Sequence, residues 1–316
     1  MTPPGVLCSG NIVLDLLVRP VDEMRWGASL WVDPIERSLG GNGSNTAYTV
    51  AMLGVPARLL GAVGHDDSGD EVLARLLAAG VDTSRVWRSQ AATASTVVLV
   101  NSYGERLFLH HPGASLEVFG EPIEFTAEVV EGMAHYHLGS PFALPRQRPF
   151  LTQTLRRAQE AGLTTSLDTQ WDSRGRWLDD LAPALPYIDI LFMNEDEARM
   201  LTGTADADPA ARFMLERGAR TVVMKLGGRG CAVFGEGGPV HQPAFDVPVV
   251  DTTGAGDCYA GGYLSALQRA ASHAEAARFA TGVAALVVQR LGAVAGLAGY
   301  AETLSRIQGL SLKPAL

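Results

Sequence analysis

The chain has 316 residues, enough for one large or two moderate domains around a substantial core. Its 34 acidic and 25 basic residues give a formal net charge of −9, which argues against a nucleic-acid backbone as the main partner. No run nears the ~18 apolar residues of a membrane span, and the opening MTPPGVLCSG lacks the basic-then-apolar order of a secretory leader. Cys8, Cys231 and Cys258 lie far apart, in no metal-binding or redox spacing, and read as reduced structural thiols. A cytoplasmic protein acting on a small molecule is the expectation.

The first segment, GVLCSGNIVLDLLV (5–18), is an apolar β-type run broken by Gly10 and Asn11. Asp15 inside it is costly unless satisfied, which favours a ligand or turn role over a solvated strand end. Residues 26–43 are alternating and turn-rich. SNTAYTVAMLG (44–54) reads as a helix capped by Ser44 or Asn45 and stopped by Gly54. ARLLGAVG and GDEVLARLLAAG continue as strand and helix. STVVLVNSYGERLFLHH (95–111) reads as a β-hairpin about a Tyr-Gly turn.

From residue 125 onward the alternation is regular. AHYHLGS, LTTSLD, IDILFMN and TVVMKLG read as strands; RQRPFLTQTLRRAQEAG, WLDDLAPAL, EDEARMLTG and DPAARFMLERG read as helices. HAEAARFATGVAALVVQRLG is a long helix of small residues. Strands separated by helical stretches imply βαβ units and a parallel sheet covered on both faces. The expectation is a large α/β domain over 1–17, 39–92 and 113–316, with a β-rich lid over 18–38 and 93–112.

VVDTTGAGDCYAGGYLSAL (249–267) leaves an apolar run, turns through Thr252, Thr253, Gly254 and Gly256, and enters a helix. Such a turn at the carboxyl end of a parallel sheet can aim several N–H groups and a helix's positive end at an anion. Asp257 then stands where a hydroxyl attacking a phosphorus would lie. Phosphoryl transfer has a loose transition state, so that carboxylate need only orient the hydroxyl and accept its proton late. The same residues equally suit a plain strand-to-helix turn with an acid in the first turn. In SLGGNGSNTAYTVAMLG (38–54), Gly41, Asn42 and Asn45 offer backbone and amide groups to a small polar ligand. Neither G-x-G-x-x-G after the first strand nor a Walker pattern is present, so any nucleotide is held without a P-loop.

GGNGSNTAYTVAMLG and DTTGAGDCYAGGYLSAL resemble the two signatures of the ribokinase-like (PfkB-type) carbohydrate kinases. GNIVLD, NEDE (194–197) and KLGGRG (225–230) follow the family's order, and the resemblance covers essentially the whole chain. It implies a ribokinase-like, three-layer α/β/α fold with a mostly parallel central sheet and a small β-sheet lid. It also implies transfer of the γ-phosphoryl of ATP, with Mg2+, to a hydroxymethyl group. By position, the resemblance makes Asp257 the base and the amides of Gly254, Ala255 and Gly256 the anion hole. Asp15, Gly41, Asn42 and Asn45 become the sugar ligands. Asn194, Lys225, Gly227, Gly228 and Thr252 fall to the nucleotide, and Glu197 to Mg2+ through water. Asp251 and Thr253, with carbonyls from 287–296, match a monovalent-cation site suited to K+. Without the resemblance, NEDE reads as an Asn-capped helix start and KLGGRG as an ordinary hairpin turn.

Asn42 stands where ribokinases themselves usually carry Lys, which counts against ribose. A free pentose or ketohexose is the first expectation and a nucleoside the second, with Trp31, Phe108 or Phe142 as a platform for the base. A phosphorylated sugar would draw on Arg37 and Arg106. A catalytically silent sugar- or nucleotide-binding regulator is the non-enzymatic alternative, against which the intact Asp257 and glycine loop speak. The resemblance further implies a homodimer through the lid. His135 and His137 alternate on one strand as metal ligands do, but with no third ligand at supportive spacing. His110 and His111 end the lid hairpin, near the substrate in the family's arrangement.

Overall fold

A computed structural model describes residues 2–103 and 105–314. The chain opens with β1 (Gly5–Ser9), β2 (Val13–Val18), β3 (Glu36–Gly40), α1 (Asn42–Met52), β4 (Ala57–Gly64), α2 (Asp67–Ala78), β5 (Val81–Asp82) and β6 (Val86–Ser89). There follow β7 (Ala94–Val100), β8 (Arg106–His111), α3 (Ala127–Val130), β9 (Met133–Gly139), α4 (Leu151–Glu160), β10 (Thr164–Asp168) and α5 (Leu178–Leu181). The remainder holds β11 (Ile190–Asn194), α6 (Glu195–Thr202), α7 (Ala207–Leu215), β12 (Thr221–Lys225), β13 (Cys231–Phe234), β14 (Val240–Gln242), α8 (Ala255–Leu267), α9 (His273–Val287) and α10 (Tyr300–Gln308).

Among the described residues the strands form two sheets. The large one runs β14-β13-β12-β11-β10-β9-β1-β4-β5, with β6 also paired to β4. It is parallel from β12 to β5 and antiparallel only at its β12–β13–β14 edge. Successive residues of one strand feed opposite cores. Val6 and Cys8 pack with α1, α8 and α9, whereas Leu7 packs with α4 and α7. Burial on both faces is why β11 reads ILFMN without polar alternation. Helices on both sides of the sheet complete the three layers.

The small sheet runs β3-β2-β7-β8. Its membership corrects the expected domain boundary, since β2, placed by sequence in the large domain, lies in the small sheet. The apolar run 5–18 is two strands because the chain turns at Gly10. A Cβ there would stand 2.7 Å from Gly43 Cα, so only glycine lets the start of α1 press on the end of β1. Asp15 therefore rides on the small sheet. Along β8, Phe108 and His110 face the cleft between the sheets, while Leu107 and Leu109 lie exposed on the alternate positions. Gly104, and with it the expected Tyr-Gly turn, lies outside the described residues.

Three further differences have local causes. α1 begins at Asn42, so Ser44 and Asn45 are inside it and not at its cap. Gly41 holds the cap position at φ 90, and the first helical N–H, that of Asn42, is satisfied from a distance by Asn11 Oδ1 at 2.9 Å. The antiparallel edge and α10 are absent from the sequence reading. His135 and His137 do share a face, yet they are joined through Ser166 Oγ at 2.7 and 2.8 Å, and no metal-binding cluster occurs among the described residues. Burial pushes their pKa values down to about 4 and about 3, so both rings are neutral. The three cysteines are free and buried, and among the described residues no helix is long and apolar enough to cross a membrane.

Candidate active site

The loop 251–254 enters α8 at the mouth of the cleft. Gly254 holds φ 68, and a Cβ on it would stand 2.5 Å from Ala293 O, so this turn excludes every other residue. The first amides of a helix have no intrahelical partner. Here the N–H groups of Gly254, Gly256 and Asp257 have no partner among the described residues. That of Ala255 is engaged within the turn, bonding Thr252 O at 3.3 Å. Of the expected amide trio, that of Ala255 is thus engaged, and the amide of Asp257 is open beside those of Gly254 and Gly256.

Asp251 braces this loop. Its Oδ1 accepts from Thr253 N at 2.9 Å, Thr253 Oγ1 at 2.7 Å and Arg106 Nη1 at 3.1 Å, and its Oδ2 from Gly292 N at 2.9 Å. A carboxylate has about four acceptor sites, and four donors occupy this one. Arg106 also hydrogen-bonds Thr252 and Thr253 through their hydroxyls. Arg106, offered by the sequence for a phosphorylated substrate, does line the larger cavity, and it also ties β8 to the 251–254 loop.

Asp257 is buried where the N-termini of α1 and α8 meet. Asn42 Nδ2 donates to its Oδ1 at 2.7 Å and Asn45 Nδ2 to its Oδ2 at 2.8 Å. Burial pushes the Asp257 pKa up, while the Asn45 amide, the Lys225 charge and the Asn42 amide pull it back. Asn45 Oδ1 is buried with no partner. Asp15 faces the same space from β2, and burial, helped by the nearby Asp257 and Asp251 charges, raises its pKa to about 7.

Two cavities meet here. The larger, about 870 Å³, is lined by Asp15, Gly41, Asn42, Asn45 and Asp257 at one end and by Phe108, Phe142 and Trp171 at the other. The smaller, about 210 Å³ and largely apolar, lies behind it against Lys225, Gly227, Gly228, Phe245 and Tyr259. Thr252 and Gly256 line both.

Of the expected nucleotide residues, Lys225, Gly227, Gly228 and Thr252 are brought together at the smaller cavity. Asn194 and Glu197 line neither. They form the capping box of α6, Asn194 Oδ1 accepting from Glu197 N and Glu197 Oε2 from Asn194 N, with Thr169 Oγ1 also donating to Glu197. Lys225 Nζ is held by both oxygens of Asp168 at 2.8 and 2.6 Å. Burial alone would lower its pKa, but the Asp168 and Glu197 charges outweigh that and raise it.

The sequence reading missed Asp168 and the loop after it, where Gln170, Trp171, Ser173 and Arg174 line the larger cavity. That loop is fixed from beneath by Arg148, bonded to both oxygens of the buried Asp172 at 2.8 Å. The aromatic-rich DTQWDSRGRW was the available signal. Trp31, by contrast, is 98% exposed and outside the cavity walls, and Arg37 pairs with Glu71.

The sequence profile of the pfkB family carbohydrate kinases matches residues 6–298. The chain belongs to the PfkB family. Among its relatives, the ATP-dependent ribose-1-phosphate kinase of Halopiger xanaduensis is 34% identical over 295 residues, 91% of this chain and 93% of that one. The Arabidopsis thaliana ribokinase complexed with ribose and ATP superposes with TM-score 0.81 at 27% identity, covering 98% of this PfkB chain and 99% of the other. A putative ribokinase II from E. coli, in complex with ATP and Mg2+, shares the fold with TM-score 0.85 at 24% identity, over 97% and 99% of the two chains.

Proposed function

We propose that this PfkB kinase transfers the γ-phosphoryl group of ATP to a hydroxymethyl group of a free sugar, a pentose or ketohexose. The observation that carries the reading is the shared wall. Thr252 and Gly256 line both cavities, and Asp257 lies at their junction with the unpartnered amides beside it.

In this reading Asp15 and Asn42 hold the acceptor's hydroxyls, with the Gly41 backbone and Asn45 lining the same end of the space. Asp257 orients the reacting hydroxyl and takes its proton at a carboxylate oxygen as attack proceeds. The N–H groups of Gly254, Gly256 and Asp257 bind the oxygens on which charge develops, preorganised and partly shielded from water. Lys225 offers positive charge beside Gly256 while Asp168 fixes its position. Mg2+, when it enters with the nucleotide, supplies charge neutralisation across the phosphates. Glu197, which lines neither cavity and whose Oε2 accepts from Asn194 N and Thr169 Oγ1, would act on such an ion only through water. A monovalent cation at Asp251 and Thr253 would compete with Arg106, whose guanidinium already brings positive charge to Oδ1 of that carboxylate, while Oδ2 accepts only from Gly292 N.

A second reading, a nucleoside acceptor, draws support from the far end of the larger cavity. Trp171, 56% exposed, stands there with Phe108 and Phe142, an apolar wall that a bare pentose does not use. On the lid's outer face, exposed Leu107 and Leu109 support a homodimer, a second copy covering them.

Incubating the protein with MgATP and a panel of pentoses, ketohexoses, sugar phosphates and nucleosides tests the assignment. Acceptor-dependent ADP release with one sugar supports the first reading. Release only with nucleosides replaces it by the second. Binding without turnover on any acceptor leaves a regulator and overturns both.

A further inference from the structure

The chain contains only two lysines, Lys225 and Lys313, among its 25 basic residues, and both line the smaller cavity. They are separated by 88 positions and come together because a C-terminal strap folds back over the edge of the large sheet. Asp246 N bonds Ser311 O and Lys313 N bonds Ala244 O, each at 2.8 Å, with Phe245 and Leu312 bridged antiparallel between them. The strap thus forms part of the cavity's rim, and Lys313 Nζ stands 3.5 Å from where a Cβ on Gly228 would lie.

The two ammonium groups are not equivalent. Lys225 is partly buried, its side chain 15% exposed, and its ammonium is committed to both oxygens of Asp168. Lys313 pairs with no carboxylate of the described residues, and the other walls of the cavity are apolar side chains, glycines and threonines. A nucleoside triphosphate brings several negative charges into this space, and an ammonium in a weakly polar surrounding is attracted to them more strongly than in bulk water. The lysine stem can also lie along the apolar rim and carry its charge at the tip as a compact ammonium.

We propose that Lys313 is a binding residue for the nucleotide's polyphosphate, clamping it from the C-terminal strap across the Gly227–Gly228 turn. It is also the accessible side-chain amine at the site, so amine-directed chemistry on the folded protein falls there. The proposal rests on the kinase reading above.

Amine modification tests it directly. The protein is treated with a limiting acylating reagent, alone or with MgATP, MgADP or adenosine, and modified peptides are quantified by mass spectrometry against an added lysine peptide. Lys313 acylates readily in the free protein, and MgATP and MgADP slow it about tenfold, while adenosine changes it less than twofold. Calorimetry on Lys313→Met then shows MgADP binding weakened about tenfold with adenosine binding unchanged, and Lys313→Arg recovers part of the loss. Lys313 acylating at the same rate with and without MgADP overturns the proposal. So does wild-type MgADP affinity in Lys313→Met. Should that variant unfold, the protection measured on the wild type still decides. A wild type that binds no nucleotide sinks the kinase reading itself, whereas a wild type that binds and turns over with Lys313 unprotected sinks this proposal alone.

Discussion

Asn42 and Asp257, 215 residues apart in the chain, are joined by an amide-to-carboxylate hydrogen bond of 2.7 Å, Nδ2 to Oδ1. With Asn45 donating to the other oxygen at 2.8 Å, the proposed base is gripped on both sides by α1 before any substrate arrives. Neither amide can take a proton, so the pair fixes the carboxylate's direction without competing for its chemistry. Asp257→Asn is expected to lower turnover at least about a thousandfold, with the ATP dissociation constant changed less than about threefold. Asn42→Ala removes one bond to a charged group, about 1.5–3 kcal/mol, and should lower kcat/KM for the acceptor about 10- to 100-fold. A coupled ADP assay and calorimetry read both. Near-wild-type turnover in Asp257→Asn contradicts its role.

Asp15 makes a pH prediction with two signs. Its folded pKa of about 7 lies above the unfolded value near 4. Between those values the unfolded chain has released the proton and the folded one still holds it, so this group's contribution to stability falls as pH rises through that window. Asp15→Asn should therefore stabilise the ligand-free protein at pH 8 by on the order of 4 kcal/mol, with little effect near pH 4. The same change should raise the acceptor KM at least about tenfold. In the wild type, acceptor KM should fall as pH rises from 6 to 8 while the carboxylate forms. Thermal melts against pH and initial rates check the two halves separately.

Arg106 reaches from the small sheet to Asp251, Thr252 and Thr253. Arg106→Met frees both the hole loop and one side of the Asp251 carboxylate, and turnover should fall about tenfold or more. Because the guanidinium supplies the positive charge beside Asp251, replacing potassium by choline should alter wild-type rates less than twofold, and those of Arg106→Met more. A wild type that loses most of its activity without potassium contradicts this account of Arg106.

Leu109 stands exposed on the lid face away from the cleft. If a second copy covers that face, Leu109→Arg should convert a dimer of twice the 33.5 kDa chain mass into a monomer. Light scattering on both proteins measures this. A monomeric wild type removes the homodimer proposal.

The elements with strong local signals were legible in the sequence. β4 falls on ARLLGAVG, and the helix after DTTG begins within the motif itself. Glycine-rich turns and polar residues entering apolar helices single out Asp257, Asn42 and Asn45, and the structure brings these three side chains into hydrogen-bond contact. What stayed hidden depends on long-range contact. Nothing local distinguishes one broken strand from two strands in different sheets, so Asp15 was assigned to the wrong one. Arg106 looks like any hairpin arginine until Asp251 is opposite it, and Asp168 like any strand end until Lys225 arrives. The NEDE stretch folds as its plain local reading says. Its Asn and Glu do cap a helix, and that cap places Glu197 behind Lys225.

The division of labour between the sheets bears on waste. Asp15 and Arg106 sit on β2 and β8, whereas Asp257 and the hole amides sit on α8 against the other sheet. Any tilt of one sheet against the other withdraws the alcohol's anchor and the loop's clamp in a single movement. On the proposed roles, such a tilt would disarm the site toward water as well as toward the alcohol.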